Sequence, residues 1–252
     1  MRLSTDWPDG VGHVALTRID STNAEGLRQA QTLPRPTWIT AGEQTAGRGR
    51  RARPWRSPPG NFHGTLVLRP AEPVETVALR SFVAALALRD AMVAATGLPQ
   101  SFALKWPNDV LLNGGKVAGI LLESSGAGAA VSALCIGIGV NLIAAPGPEA
   151  VEEGAMPPVT VLAETGLRLT PMAFLAHLAP AYAAWEKVFT TRGFGPVREA
   201  WLAGAARLGE PIRARTGTTD RTGIFETVDA AGNLILMQPD GPLAIPAADV
   251  FF

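Results

Sequence analysis

Apolar residues fall along the chain first in short runs and later at helical spacing. Residues 13–19, His-Val-Ala-Leu-Thr-Arg-Ile, read as a strand. Thr22-Asn23-Ala24-Glu25 follows with capping-box spacing and predicts a helix to about Gln31, ended by Pro34 and Pro36. Residues 37–42 and 62–69 read as two further strands joined by a Gly/Pro-rich segment. From 76 to 96, Val77, Phe82, Val83, Leu86, Ala87 and Val93 recur at helical spacing, which predicts one long amphipathic helix stopped by Gly97-Leu98-Pro99. Three apolar segments, 102–106, 117–122 and 130–142, are punctuated by Gly114-Gly115 and by Gly126 and Gly128, as expected of adjacent antiparallel strands. Thr170-Pro171 opens another helix, with proline at its first position and a stripe of Phe174, Leu178, Tyr182, Trp185 and Phe189. A shorter helix is expected from Pro196 to about Arg207.

Beyond Gly209 the texture changes to short β-type runs at 212–215, 223–228, 233–237 and 243–245, separated by Gly, Asp and Pro. The pattern predicts an α+β protein: a mixed β-sheet with helices over 1–206, then a small β-barrel over 207–252. No internal repeat or low-complexity tail is visible.

Composition narrows the class. Of 252 residues, 47% are hydrophobic and 17% charged, which is globular rather than disordered. No apolar stretch reaches the ~20 residues of a membrane helix, and the opening Met1-Arg2-Leu3-Ser4-Thr5-Asp6-Trp7-Pro8 lacks the apolar run of a signal peptide. A cytoplasmic protein without a membrane partner is expected. The one cysteine, Cys135, rules out an internal disulfide and a clustered-thiolate metal site. Formal net charge is zero, yet the acid-free stretch from Gln44 to Ala71 holds Arg48, Arg50, Arg51, Arg53, Arg56 and Arg69. One local anion site fits this better than a general polyanion-binding face.

Four segments carry candidate chemistry. In Gln44-Thr45-Ala46-Gly47-Arg48-Gly49-Arg50-Arg51-Ala52-Arg53-Pro54-Trp55, glycines let backbone N–H groups approach a ligand and arginines supply fixed donors for carboxylate or phosphate. Trp55 adds a stacking face. On composition alone such a loop more often means a solvated basic surface or a nucleic-acid patch; its position between two core strands favours a built site. The second segment is Lys105-Trp106-Pro107-Asn108-Asp109 with Lys116 seven residues on, leading the strand Lys116-Val117-Ala118-Gly119-Ile120-Leu121. The third is Gly137-Ile138-Gly139-Val140-Asn141, and the fourth Ser21-Thr22-Asn23. Taken singly, each of these three is explained as well by a hairpin turn, a buried strand and a helix cap.

In this order the segments resemble the signatures of the biotin–protein ligases: a Ser-Thr-Asn turn, a Gly-Arg-Gly-Arg-Arg-Gly-Arg-x-Trp loop, Lys-Trp-Pro-Asn-Asp, Lys-x-Ala-Gly-Ile-Leu and Gly-x-Gly-x-Asn. The resemblance covers residues ~13–142 and implies a class II synthetase-like catalytic domain, with the tail similar to the SH3-like barrel that ends these enzymes. It further implies that biotin and ATP form biotinyl-5′-AMP, with Mg²⁺ arriving on the nucleotide rather than on protein side chains. The biotin is then passed to a lysine of a biotin carboxyl carrier protein. By motif, Ser21, Thr22, Asn23 and Gln44 would hold the ureido ring together with backbone near Gly47 and Arg48, and Gly49, Arg50, Lys116 and Gly119 would also contact biotin. Arg48, Arg50, Arg53, Trp55, Asn108, Lys116 and Asn141 would contact ATP. Arg50, Lys116 and Asp109 would act in catalysis, Asp109 on the incoming lysine.

Ala52 stands where that loop has a third glycine, so a left-handed backbone there would be strained. Nothing before residue 13 reads as a helix-turn-helix, so no DNA partner is expected, and a homodimer is compatible with the resemblance. Two rival readings are a lipoate or octanoate ligase or transferase of the same fold, and a non-catalytic nucleic-acid binder. A transferase of the first kind that works through a covalent acyl-enzyme would need an activated cysteine, whereas Cys135 sits in the most continuously apolar strand. The arginine loop, glycine-rich and charged, is expected to order when biotin binds.

Overall fold

In the computed structural model, residues 6–127, 130–147, 156–217, 219–246 and 248–252 are described. Gly128, expected to punctuate a hairpin, and residues 1–5 lie outside them.

The first sheet has seven strands in the order β1-β2-β3-β7-β6-β5-β4. These are β1 (Gly12–Ile19), β2 (Thr37–Gln44), β3 (Phe62–Leu68), β4 (Phe102–Lys105), β5 (Asp109–Leu112), β6 (Gly115–Ala127) and β7 (Ala130–Val140). Only β1 and β2 run parallel, linked across the sheet by α1 (Thr22–Gln29); every other neighbour is antiparallel. The N-cap of α1 is Ser21, one residue before the predicted capping box. Its extended backbone (φ −157°) lets Oγ accept from the Ala24 N–H, while the Glu25 carboxylate takes Arg28 and Gln29 instead. On this face of the sheet a small cluster of Ile39, Val67, Ala133 and Cys135 packs under α1. The fit is close: a Cβ on Gly26 would stand 2.8 Å from the Cys135 Sγ.

The other face carries the main core. The single amphipathic helix expected over 76–96 is instead α2 (Val74–Ala78) and α3 (Arg80–Thr96), divided at Leu79. Helix α3 is not amphipathic either. Residues Phe82–Leu88 are buried without a polar break, because α3 lies between the sheet, α5 (Pro171–Arg192) and α6 (Phe194–Ala203). A helix covered all round needs apolar residues all round. Helix α5 begins as expected, with Thr170 Oγ1 accepting from Ala173 N and proline in its first turn. Helix α6 begins two residues earlier and ends four earlier than expected. Strand β5 and helix α4 (Val161–Thr165) were not anticipated: at four and five residues they are too short to show a period.

Arg80, at the head of α3, is 3% exposed. Its Nε donates to Glu186 Oε1 (2.9 Å), its Nη2 donates to Glu72 Oε1 (2.8 Å), and the guanidinium lies 5.0 Å from the centre of the Phe189 ring. This ion cluster ties α3 to α5 and to the loop before α2.

Strands β8 (Pro211–Thr216), β9 (Thr219–Val228), β10 (Leu234–Gln238), β11 (Gly241–Ile245) and β12 (Asp249–Phe251) form the second sheet, order β11-β10-β9-β8-β12, all antiparallel. Four of them match the expected runs. The fifth, β12, is three residues long and was missed. Among the described residues β11 and β12 are edges rather than partners, so the pairing is that of an open sheet. The sheet shares its core with the first: Ile212, Phe225 and Val228 join the main apolar cluster, Phe225 packs edge-on against Trp201, and Trp106 Nε1 donates to Gly232 O. That docking brings β12 up to the arginine loop. Among the described residues no helix is long and apolar enough to cross a membrane.

Candidate active site

A cavity of about 630 Å³ opens over β6 and β7, walled by the Ser21–Asn23 turn, the β2–β3 connection, the β4–β5 turn and β12. Ser21, Thr22, Asn23, Gln44, Arg48, Gly49, Arg50, Arg53, Trp55, Asn108, Asp109, Lys116, Gly119 and Asn141 all line it. Of the residues expected in the site, Gly47 alone stands behind the wall. A Cβ there would come within 2.7 Å of Trp55 O and 2.9 Å of Ser57 Oγ, so the position needs glycine for close packing.

One end of the cavity is uncharged and polar. Gln44 Oε1 accepts from the Thr22 N–H (2.8 Å) and Oγ1 (3.0 Å), while its Nε2 donates to Ser57 Oγ (2.8 Å). Thr65 Oγ1 lies 2.6 Å from Asn23 Oδ1 and 2.8 Å from Thr22 Oγ1, with one proton to share between them. Asn23 Nδ2 donates to Leu121 O (3.2 Å) and to Glu123 Oε2 (2.8 Å). Ser21, Thr22, Asn23 and Thr65 are all buried. Gly137 makes room for Asn23, since a Cβ there would meet Oδ1 at 2.4 Å. Such a set of fixed neutral donors and acceptors suits an amide- or urea-like ring. Ser21 is largely accounted for by capping α1.

The other end is cationic. Lys116 Nζ lies 2.7 Å from Asp109 Oδ1 and 5.7 Å from the centre of the Trp55 ring. Lys105, a site residue that the motif contained but the sequence reading left without a role, is 8% exposed, with Nζ 3.8 Å from Asp109 Oδ2. Burial pushes its ammonium below the ordinary lysine range, and the Asp109 carboxylate opposes that. Asn108 lines the wall, but its Nδ2 donates to Ile120 O (2.7 Å), which pins the β4–β5 turn to β6. Asn141 is buried just past β7, its backbone bonded to Val117 and Val161.

The arginine loop is folded over this site. Gly49 N donates to Arg53 O and Trp55 N to Gly47 O, which closes the loop on itself. Trp55 stands inside the cavity, and a Cβ on Gly139 would come within 2.5 Å of its indole. Its buried Nε1 has no partner among the described residues. Four arginines of the loop find acceptors. Arg48 pairs with Glu123 (3.2 Å), Arg50 Nη1 donates to Ala248 O (3.1 Å), and Arg51 and Arg53 pair with Asp249 Oδ2 (2.6 and 2.9 Å). Burial lowers the Arg50 pKa, yet a guanidinium stays charged in a protein. Asp249 was invisible to sequence reasoning, because nothing in Ala248-Asp249-Val250 marks a residue that reaches a loop 196 positions away.

The glycine missing at position 52 has a measurable consequence. Arg51 (φ 54°) and Ala52 (φ 56°) are both left-handed, a conformation that costs a residue with a Cβ about 1 kcal/mol. Ala52→Gly is expected to favour the folded-over loop and slow tryptic cleavage at its arginines by a few-fold; faster cleavage would show that loop flexibility outweighs the relieved strain.

Cys135 is fully buried, and burial together with the nearby Glu123 charge pushes its thiol up to about 12. It stays protonated and enclosed, as expected of core. Among the described residues no group of three or more His, Cys, Asp or Glu is placed to hold a metal ion.

The model of the biotin/lipoate A/B protein ligase family matches residues 15–141, and that of the biotin protein ligase C-terminal domain matches residues 208–252. A biotin–[acetyl-CoA-carboxylase] ligase of Paracoccus denitrificans is 60% identical over 237 residues, 94% of this chain and 99% of that protein. The bifunctional ligase/repressor of Escherichia coli is 30% identical over 236 residues, 91% of this chain and 70% of its own length. Among solved structures, a biotin protein ligase from Aquifex aeolicus in complex with biotin and ATP superimposes with a TM-score of 0.81 at 25% identity, covering 95% of this chain and 98% of that one.

Proposed function

The chain belongs to the biotin/lipoate A/B protein ligase family, and we propose how its residues carry out the two half-reactions of a biotin–protein ligase. The enzyme joins biotin to ATP and passes the biotin to a lysine of a biotin carboxyl carrier protein. In the first step a carboxylate oxygen attacks the α-phosphorus and the bond to pyrophosphate breaks, giving biotinyl-5′-AMP. In the second the carrier amine attacks the acyl carbon, AMP leaves and the amine loses a proton.

Both reactants of the first step are anions, so the barrier is lowered by cations placed where charge develops. Lys116 and Arg50 take that role between the carboxylate and the α-phosphate. Arg48 and Arg53 reach the phosphates once these displace Glu123 and Asp249 from them. Thr22, Asn23 and Gln44 bind the ureido ring with Ser21 at its edge. Gly49 and Gly119, which line the cavity, let backbone approach the ligand, while Gly47 packs behind them against Trp55 and Ser57. Trp55 and Asn141 contact the nucleotide, with Asn108 holding the wall beside them. Asp109, flanked by Lys116 and Lys105, orients the incoming carrier lysine. Mg²⁺ enters with ATP.

One observation carries this assignment: a neutral hydrogen-bonding end and a cationic end face each other across one cavity of substrate size. The neutral end favours a urea ring over a fatty or lipoyl chain, and the enclosed Cys135 disfavours an acyl-enzyme route. We read residues 1–206 as the catalytic unit and 207–252 as a second unit docked on it, with no DNA partner and a cytoplasmic site of action.

The test is incubation with Mg·ATP, biotin and an apo carrier domain. Biotin on the carrier lysine is expected, with lipoate and octanoate not transferred. Absence of both biotinylation and biotin-dependent ATP–pyrophosphate exchange would overturn the reading. Arg50→Gly is expected to fold normally and to release the adenylate at least about tenfold faster, one lost charge-assisted hydrogen bond being worth roughly 1.5–3 kcal/mol; a filter-binding chase measures it, and parental retention removes Arg50 from the role.

A further inference from the structure

Glu123 enters the assignments above only as the acceptor that phosphate displaces from Arg48, yet before ATP arrives it joins Arg48 to the ring-binding residues. It lies on β6 with its side chain 25% exposed, one oxygen on Arg48 (3.2 Å) and the other accepting from Asn23 Nδ2 (2.8 Å). From Asn23 the contacts run through Thr65 and Thr22 to Gln44, then Ser57, whose Oγ donates to Trp55 O (3.3 Å). Arg48 and Ser57 sit at the two feet of the arginine loop. A single polar chain therefore starts at one foot, crosses the ring-binding residues and ends at the other. Glu123 is its only charged acceptor.

We propose that Glu123 is a positioning residue that relays occupancy of the urea-ring pocket to the arginine loop, a proposal that rests on the biotin–protein ligase reading of the site. The Nδ2 of Asn23 has two protons, and both are already committed, to Leu121 O and to Glu123. A ligand carbonyl that claims one of them takes a donor away from this network. When the proton comes from Glu123, the carboxylate is left to Arg48 alone, and the ion pair that holds the loop foot strengthens. Binding of the ring thus draws the loop down, and by reciprocity a seated loop holds the ring.

The test uses the full-length protein, with biotin as the probe. In the parent, saturating biotin slows tryptic cleavage of the loop; Glu123→Gln keeps an acceptor for Asn23 but removes the charge. Biotin is expected to protect this variant about tenfold less, and to bind it about tenfold more weakly, within the usual range of coupling between sites. Arg48→Gln should lose the same protection, and the double variant should lose no more than either single one. Full protection in Glu123→Gln, or additive losses in the double variant, overturns the relay. Thermal unfolding without ligand separates a merely structural role: lower stability with intact biotin protection also overturns it. Failure of the ligase reading is distinct, since the parent itself would then show no biotin-dependent exchange.

Discussion

Lys116→Met is expected to slow adenylate formation by about 10²–10³-fold with the fold intact, the usual cost of removing one preorganised charge donor from a transition state. Methionine keeps most of the apolar stem beside Trp55, so packing is little changed. The ammonium is the loss. In the parent it stands 2.7 Å from Asp109 and faces the cavity where a carboxylate and a triphosphate must meet. Without it, Asp109 keeps an ion pair with Lys105, 3.8 Å away, and adds its own repulsion to two approaching anions. Pyrophosphate exchange at saturating biotin and ATP isolates the first half-reaction. The fall should appear mainly in kcat, because the charge matters most as negative charge gathers on the transferred phosphoryl group. Exchange within threefold of the parent would sink the role given to Lys116.

Arg80→Met tests the scaffold rather than the chemistry. Arg80 is almost fully enclosed, bonded to Glu72 and Glu186 and stacked over Phe189, and Glu186 also accepts from the Tyr182 hydroxyl (3.0 Å). Removing one member of a buried ion cluster leaves the others uncompensated, at a cost of about 3–5 kcal/mol. Both glutamates keep a path to water, so the low end applies. A loss of about 3 kcal/mol in a chain of this size lowers Tm by roughly 6–12 °C. Exchange activity well below the transition should survive, since Arg80 does not line the cavity.

The cluster also has an acid-side signature. Burial raises the Glu72 carboxyl, but the Arg80 hydrogen bond and charge outweigh it and hold the pKa below the ordinary glutamate value. A carboxylate depressed in the folded state contributes stability that is fully present above its unfolded pKa and lost as pH falls through the folded one. Unfolding free energy of Arg80→Met should therefore fall less steeply than the parent's on acidification below about pH 4.5, near the unperturbed glutamate pKa. A parental Tm together with a parental acid slope would show that the cluster contributes nothing net.

Much of this protein is legible in the order of its residues. Strands β1, β2 and β3 and helices α1 and α5 announce themselves because caps, prolines and apolar periods are local, and a local signal needs no partner to be read. The chemistry-bearing segments were legible for the same reason: the glycine–arginine loop, Lys105–Asp109, Lys116 and Gly137–Asn141 each combine uncommon residue types within a few positions. Ala52 could be singled out in advance, since a missing glycine is visible before its φ of 56° is.

Tertiary structure decided the rest. It made α3 a buried helix rather than a surface one by packing the sheet, α5 and α6 around it, which no periodicity reveals. It put Asp249 beneath Arg51 and Arg53, and Glu123 between Asn23 and Arg48, through contacts spanning 198 and 100 positions at their longest. Most of all, it made one cavity from four segments that each had a plain structural explanation alone. Side-chain chemistry is fixed by sequence, but the distance between two charges is fixed only when sheets and helices pack. At 2.7 Å from Asp109, Lys116 belongs to a site rather than to a strand end.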